Sequence, residues 1–272
     1  MPTTAIPHVG FRIVNGVRVR YADSGSPQKP AIVLTSPWPE SVYAFTGMWS
    51  RLRDRARLFA VDLPGFGASE ARVGLLSPRA MGEFLGRLPL EVGLRRPHVV
   101  APDVGTAAAL FAAASYPDRF AGVAVGAGAA AVPIQLGEPL ASWVLDRDLD
   151  KYRQIDPHVF VNTAMETVRG GVPEVARADY LKCYVGERFV ESMRYVRRYP
   201  KELPELSELL PSIELPVTII YGDHDRVVPA ENAEFLHARL PNSRLAPLVA
   251  GHFAWEEAPD VYASIVLEMI NG

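Results

Sequence analysis

The chain has 272 residues, enough to bury one full core with room for an insertion. Its 49% hydrophobic and 22% charged residues are ordinary globular values, and a net charge of −3 with a pI near 6.1 leaves no electrostatic footprint for nucleic acid or an acidic membrane. One cysteine, Cys183, excludes an internal disulfide framework and fits a reducing compartment.

Taken in order, residues 11–14 and 17–22 (FRIV and VRVRYA) are two β-rich runs joined at Asn15-Gly16, a strong hairpin signal. AIVLTS (31–36) lacks alternation, as expected of a strand buried on both faces. RLFAVDLPGFGAS (57–69) reads as a strand running into a Pro/Gly loop. Further strands are expected just before Asp103 and in RFAGVAVGA (119–127), LPVTIIYG (215–222) and SRLAPLV (243–249). Helical segments fall between most of them, including 107–115 and 231–240, with a last one at 260–270. This alternation predicts an α/β fold: a mostly parallel eight-stranded sheet with helices on both faces. Residues 133–212 break the rhythm, being rich in helix formers, Arg and Tyr, and are expected to form a helical lid. The core is then 1–132 and 213–272. The opening MPTTAIPHVGFRIVNG has neither a basic start nor an apolar run of signal-peptide length. No apolar stretch reaches the roughly 18–20 residues that span a bilayer, so a soluble cytoplasmic protein is expected, monomer or homodimer.

The strongest local signal is HVVAPDVGTAAAL (98–110). An apolar run ends in Asp103, then come Val104-Gly105 and an alanine-rich segment: strand, sharp turn, helix. A carboxylate stands where a Gly-x-Ser-x-Gly turn carries its serine. The small neighbours Ala101 and Gly105 suit a turn whose central residue is strained. Alone, such an aspartate is as readily a helix N-cap. Two later segments tip the balance. YGDHDRVVP (221–229) follows a strand and offers Asp225, with Asp223 as a rival; AGHFAWEEAP (250–259) follows another and offers His252. Asp103, Asp225 and His252 thus stand in the order nucleophile, acid, histidine.

On these residues the chain resembles the α/β-hydrolase superfamily, specifically the aspartate-nucleophile branch of epoxide hydrolases and haloalkane dehalogenases. Its markers are VDLPGFGAS (61–69), the Asp103 turn, GDHDRVVP (222–229) and GHFAWEEAP (251–259). LTSPWPES (34–41) departs from the family's His-Gly-x-Pro loop: Ser36 and Pro37 replace His and Gly, while Trp38 and Pro39 fit. That loop normally lends one N–H to an oxyanion hole. Pro37 and Pro39 have none, so Trp38 N–H and Val104 N–H are the expected pair. The resemblance also implies a cis bond before Pro39 and, by the family's Gly-x-x-Asp spacing, Asp225 rather than Asp223 as the acid.

An aspartate nucleophile attacks saturated carbon and leaves an alkyl ester on the protein. It needs no base, so His252 would activate water in the second step while Asp225 orients the imidazole. A halide leaving group calls for N–H donors, yet Val104 replaces the tryptophan that dehalogenases carry after the nucleophile. An epoxide calls for an acid, and the lid offers Tyr152, Tyr180, Tyr184, Tyr195 and Tyr199. By resemblance Tyr152 and Tyr195 are the proton donors, with Tyr199 close behind. The favoured expectation is an epoxide hydrolase acting on a small apolar organic substrate. The alternatives are a haloalkane dehalogenase, a hydrolase-fold enzyme of secondary metabolism in which the epoxide opens to an internal nucleophile or Asp103 acts as a base in a cyclisation, and a non-catalytic binding protein. Trp143 is a candidate cavity residue. The histidines show no metal-ligand spacing, and no dinucleotide fingerprint follows the first strand, so neither a metal nor a cofactor is expected.

Overall fold

The computed structural model describes residues 8–271. The first seven residues of the stretch read as lacking a signal peptide, and Gly272, lie outside it. Strands β1 (Val9–Val14) and β2 (Val17–Asp23) form the expected hairpin, with Asn15 and Gly16 both at positive φ (48° and 74°) as a type I′ turn requires. There follow β3 (Ala31–Thr35), α1 (Thr46–Arg53), β4 (Arg57–Val61), α2 (Pro78–Glu91), β5 (His98–Pro102), α3 (Gly105–Ser115) and β6 (Gly122–Gly126). Six helices then intervene: α4 (Leu140–Leu145), α5 (Asp150–Arg153), α6 (Pro157–Glu166), α7 (Glu174–Cys183), α8 (Arg188–Val196) and α9 (Tyr199–Leu209). The chain returns through β7 (Val217–Gly222), α10 (Glu231–His237), β8 (Ser243–Leu248), α11 (Ala254–Glu257) and α12 (Pro259–Asn271). The six-helix insertion falls where the sequence rhythm broke. No helix among the described residues is long and apolar enough to cross a membrane.

One eight-stranded sheet runs in the order β1-β2-β4-β3-β5-β6-β7-β8. β2 pairs antiparallel with β1 and β4, and all other pairings are parallel. The order explains where the helices go. Crossovers between parallel strands are right-handed. The step from β3 to β4 runs toward β1, whereas the steps from β4 to β5 and from β5 to β6 run toward β8. Helix α1 therefore covers one face, with α12 packed on it, and α2 and α3 pack together on the other. The direction reverses between the adjacent strands β3 and β5, which opens a crevice at their carboxyl ends. The loops leaving those two ends carry Trp38 and Asp103.

The insertion is tied to the sheet by a buried arginine. Arg20 on β2 donates from Nε to Asp62 Oδ2 (2.7 Å) after β4, and from its two terminal nitrogens to Asp179 on α7 (both 2.8 Å). Ser41 also donates to Asp179 Oδ2 (2.6 Å), and Asp62 Oδ1 accepts from Val42 N–H (2.8 Å). Arg20 is held charged, well above its ordinary pKa: burial opposes the charge, but Asp62 and Asp179 outweigh it. The same network thus holds both α7 and the segment after Trp38.

Candidate active site

Asp103 sits at the turn between β5 and α3 with φ 53°, a left-handed backbone that few non-glycine residues adopt and that often marks a functional position. The turn is tight. A Cβ on Gly105 would meet Thr35 Oγ1 at 2.4 Å, so the small residue there is required by the approach of β3. Trp38 N–H donates to Asp103 Oδ2 at 2.6 Å, and the neighbouring Val104 N–H also favours the charged carboxylate. The Trp38–Pro39 peptide is cis. His252 Nε2 lies 3.9 Å from Asp103 Oδ1, on the other oxygen.

The histidine's Nδ1 is 2.8 Å from Asp225 Oδ2. Asp225 is itself fixed, because its Oδ1 accepts from the N–H groups of Val227 (2.8 Å) and Val228 (2.9 Å). Asp223, the rival, instead accepts from Ala250 N–H (3.3 Å) and lies on the more exposed side of the loop beside His224. Asp225 is the partner of His252. Burial raises the Asp103 carboxyl, His252 and the two N–H donors pull it back, and it settles at about 6. Burial works against a charged His252, but Asp225, Asp103 and Glu257 outweigh it and lift the imidazole to about 9. At neutral pH this is a carboxylate facing an imidazolium.

A cavity of about 240 Å³ opens onto Asp103 and His252. Its wall is largely apolar, built from Trp38, Trp143, Phe160 and Phe253 with Val159 and Thr163 on α6. Trp38 stacks on Phe189 (4.9 Å between centroids) and meets Trp143 edge-on (5.2 Å), so Trp143 both packs and lines the cavity. The indole Nε1 of Trp38 is buried without a hydrogen-bond partner. Phe160 and Phe189 carried no sequence signal, because they come together only when α6 and α8 stack.

The structure places the tyrosines expected as proton donors outside the residues that line this cavity. Among the described residues, no tyrosine lines this cavity. Tyr195 Oη donates to the Val104 carbonyl at 2.6 Å, so its proton is committed to the back of the elbow. Tyr152 donates to Asp146 Oδ2, and Tyr199 is buried edge-on against Tyr195. Tyr180 and Tyr184 donate to Glu256 Oε1 (2.7 Å) and the Glu40 carbonyl (3.4 Å). The hydroxyls of Tyr180, Tyr184 and Tyr195 serve as ties between the insertion and the core.

A family model described as the alpha/beta hydrolase fold matches residues 30–259. A 2-hydroxy-6-oxononadienedioate/2-hydroxy-6-oxononatrienedioate hydrolase of Burkholderia vietnamiensis is 26% identical over 282 aligned positions, covering 94% of this chain and 91% of that protein. Among solved structures, Cfl2 of Burkholderia cenocepacia superposes with a TM-score of 0.83 at 22% identity (98% of this chain, 97% of that one). The epoxide hydrolase CorEH does so at 0.82 and 18% identity (97% and 98%). At these identities the superpositions speak for the fold alone. With the match running from the start of β3 to the first residue of α12, and the strand order and elbow in agreement with it, the chain belongs to the alpha/beta hydrolase family.

Proposed function

We propose that this hydrolase attacks a saturated carbon of a small, largely apolar substrate with Asp103, through an alkyl ester that a water activated by His252 then cleaves. The observation that carries the reading is the division of labour between the two oxygens of one carboxylate. Oδ2 already lies against the Trp38 N–H, while Oδ1 faces His252. If Oδ1 forms the new bond to carbon, the leaving group departs with the old bonding pair and Oδ2 becomes the ester carbonyl oxygen. Water, giving its proton to His252 Nε2, then adds to Cγ. The charge that develops on Oδ2 does so where N–H donors are already placed. Collapse breaks the Cγ–Oδ1 bond, the product alcohol takes the proton back, and Asp103 keeps one oxygen from water.

The two titrations support this order. Esterification removes the Asp103 charge, one of the charges that hold His252 protonated. The first step therefore moves the histidine toward the neutral form that the second step needs.

For the leaving group, the wall supports a halide over an epoxide. An epoxide oxygen departs on the side of the carbon opposite Asp103 Oδ1 and needs an acid there. His252 stands on the nucleophile's side, and the hydroxyls of Tyr195 and Tyr152 are bonded to the Val104 carbonyl and to Asp146. A halide leaves as a stable anion and asks only for N–H donors. Trp38 lines the cavity and its buried Nε1 has no partner, so a small turn of the indole toward the substrate space would let an anion supply the missing acceptor.

The test is one turnover in H₂¹⁸O with a panel of small bromoalkanes and terminal epoxides. The expected result is bromide release, with ¹⁶O in the first-turnover alcohol and ¹⁸O in the Asp103 peptide. Label in the first-turnover product would mean that Asp103 acts as a base; diol formation without halide release would restore the epoxide.

A further inference from the structure

Glu257, the last residue of α11, is a buried carboxylate beside the His252 loop that the two steps above leave unused. Its side chain is 3% exposed. Oε2 accepts from the Gly251 N–H (3.0 Å), the amide just before His252, and also from Arg169 Nε (3.0 Å). Oε1 is buried without a partner, and a Cβ on Gly251 would sit 2.8 Å from it, so a larger residue there would push the carboxylate aside.

Arg169 belongs to the insertion, in the connection between α6 and α7. Helix α6 supplies Phe160, Thr163 and Ala164 to the cavity wall. One carboxylate thus bonds both the backbone that carries the histidine and the segment that covers the substrate space. We propose that Glu257 is a positioning residue for His252, fixing its loop and helping to set its proton affinity, and that Arg169 links this setting to the seating of the α6–α7 segment over the cavity. The proposal rests on the reading of His252 as the base of the second step.

The other charges around the imidazole are accounted for. Asp225 bonds Nδ1 from the loop after β7, and Asp103 faces Nε2 from the elbow. Glu40 and Glu256 lie beyond Trp255, joined to Trp255 Nε1 (2.8 Å) and Tyr180 Oη (2.7 Å), and Asp223 and His224 lie outward beside Ala250. Burial raises both carboxyls, Glu40 well above the ordinary range and Glu256 to about 7. Glu257 adds its negative charge in support of the imidazolium. When α6–α7 is seated, Arg169 offsets that charge and favours the neutral ring that takes a proton from water. When it lifts, the offset goes and the histidine holds its proton.

The test reads the histidine directly. His252 is titrated by NMR in the full chain, its signals assigned by their loss in His252→Gln. Glu257→Gln, which keeps an acceptor for the Gly251 N–H, is expected to lower the titration by about one pH unit. Arg169→Met is expected to raise it by less, because Arg169 is 54% exposed and screened. In the double variant the arginine change should have no effect of its own. An unmoved titration in Glu257→Gln, or a shift of the same sign in Arg169→Met, overturns the proposal. Arg169 is exposed, so its variant keeps the test open if Glu257→Gln fails to fold. Because no substrate is needed, a failed two-step reading shows separately, as no covalent adduct in His252→Gln.

Discussion

Trp38 donates its backbone N–H to Asp103 Oδ2 at 2.6 Å across the crevice between β3 and β5. The bond joins the loop 34–41 to the residue at the centre of the site. With Pro37 and Pro39 lacking N–H groups, no immediate neighbour in that loop could take its place. It also selects which oxygen stays free, and the first prediction turns on that.

Asp103→Asn should keep the fold, since the side chains are nearly isosteric, and lose more than about 10³-fold in turnover. Steady-state rates and circular dichroism on the freshly purified variant check both halves. Slow recovery of activity, with a gain of 1 Da by mass spectrometry, would report deamidation back to aspartate and support a nucleophile in contact with activated water.

His252→Gln should leave bond formation largely intact and stop ester hydrolysis. The expected record is a burst of one equivalent of leaving group, then a stall, with the alkyl adduct visible in the intact mass and mapping to Asp103.

The pH dependence follows from the two shifts. Asp103 is raised to about 6, so it is protonated and inert below that value, and the burst rate should rise with pH through about 6. His252 titrates at about 9 in the free enzyme with Asp103 charged. In the ester that charge is gone, so the hydrolytic step should rise through a pH below 9. Rapid-quench measurement of the two phases across pH 5–10 (roughly the span of both titrations) separates them.

Tyr195→Phe distinguishes a tie from an acid. The buried Val104 carbonyl loses its donor, which should cost about 1–3 kcal/mol in stability, seen as a lowered melting temperature. The burst rate should fall less than about tenfold, whereas loss of a general acid would take about 10²-fold or more.

Arg20→Met should be more damaging to the fold than any change at the cavity wall. It strips Asp62 and Asp179 of their counter-ion in a buried setting, at a cost of about 3–5 kcal/mol. Urea unfolding checks the magnitude. Limited proteolysis should cut first near α7, where Asp179 anchors the insertion.

How far the sequence goes can be judged residue by residue. Asn15-Gly16, the unalternating run 31–35 and the Asp103 elbow are legible because each records a local demand: positive φ in a tight turn, burial on two faces, close approach of backbones. Such demands act over a few residues and hardly depend on the rest of the chain. They were enough to lay out the strands and the order Asp103, Asp225, His252. The family's Gly-x-x-Asp spacing already favours Asp225 over Asp223; the tertiary structure supplies the physical reason, since the path of the loop after β7 brings Asp225 to Nδ1 and leaves Asp223 beside Ala250. The tyrosines needed the tertiary structure more. Where a long side chain on an insertion helix sends its hydroxyl depends on how that helix is rotated and docked, which Arg20, Asp179 and Arg188 decide from far away in sequence. Tyr195 is the clearest case: the docking of α8 sends its hydroxyl to the Val104 carbonyl behind the elbow, a contact that no local pattern records.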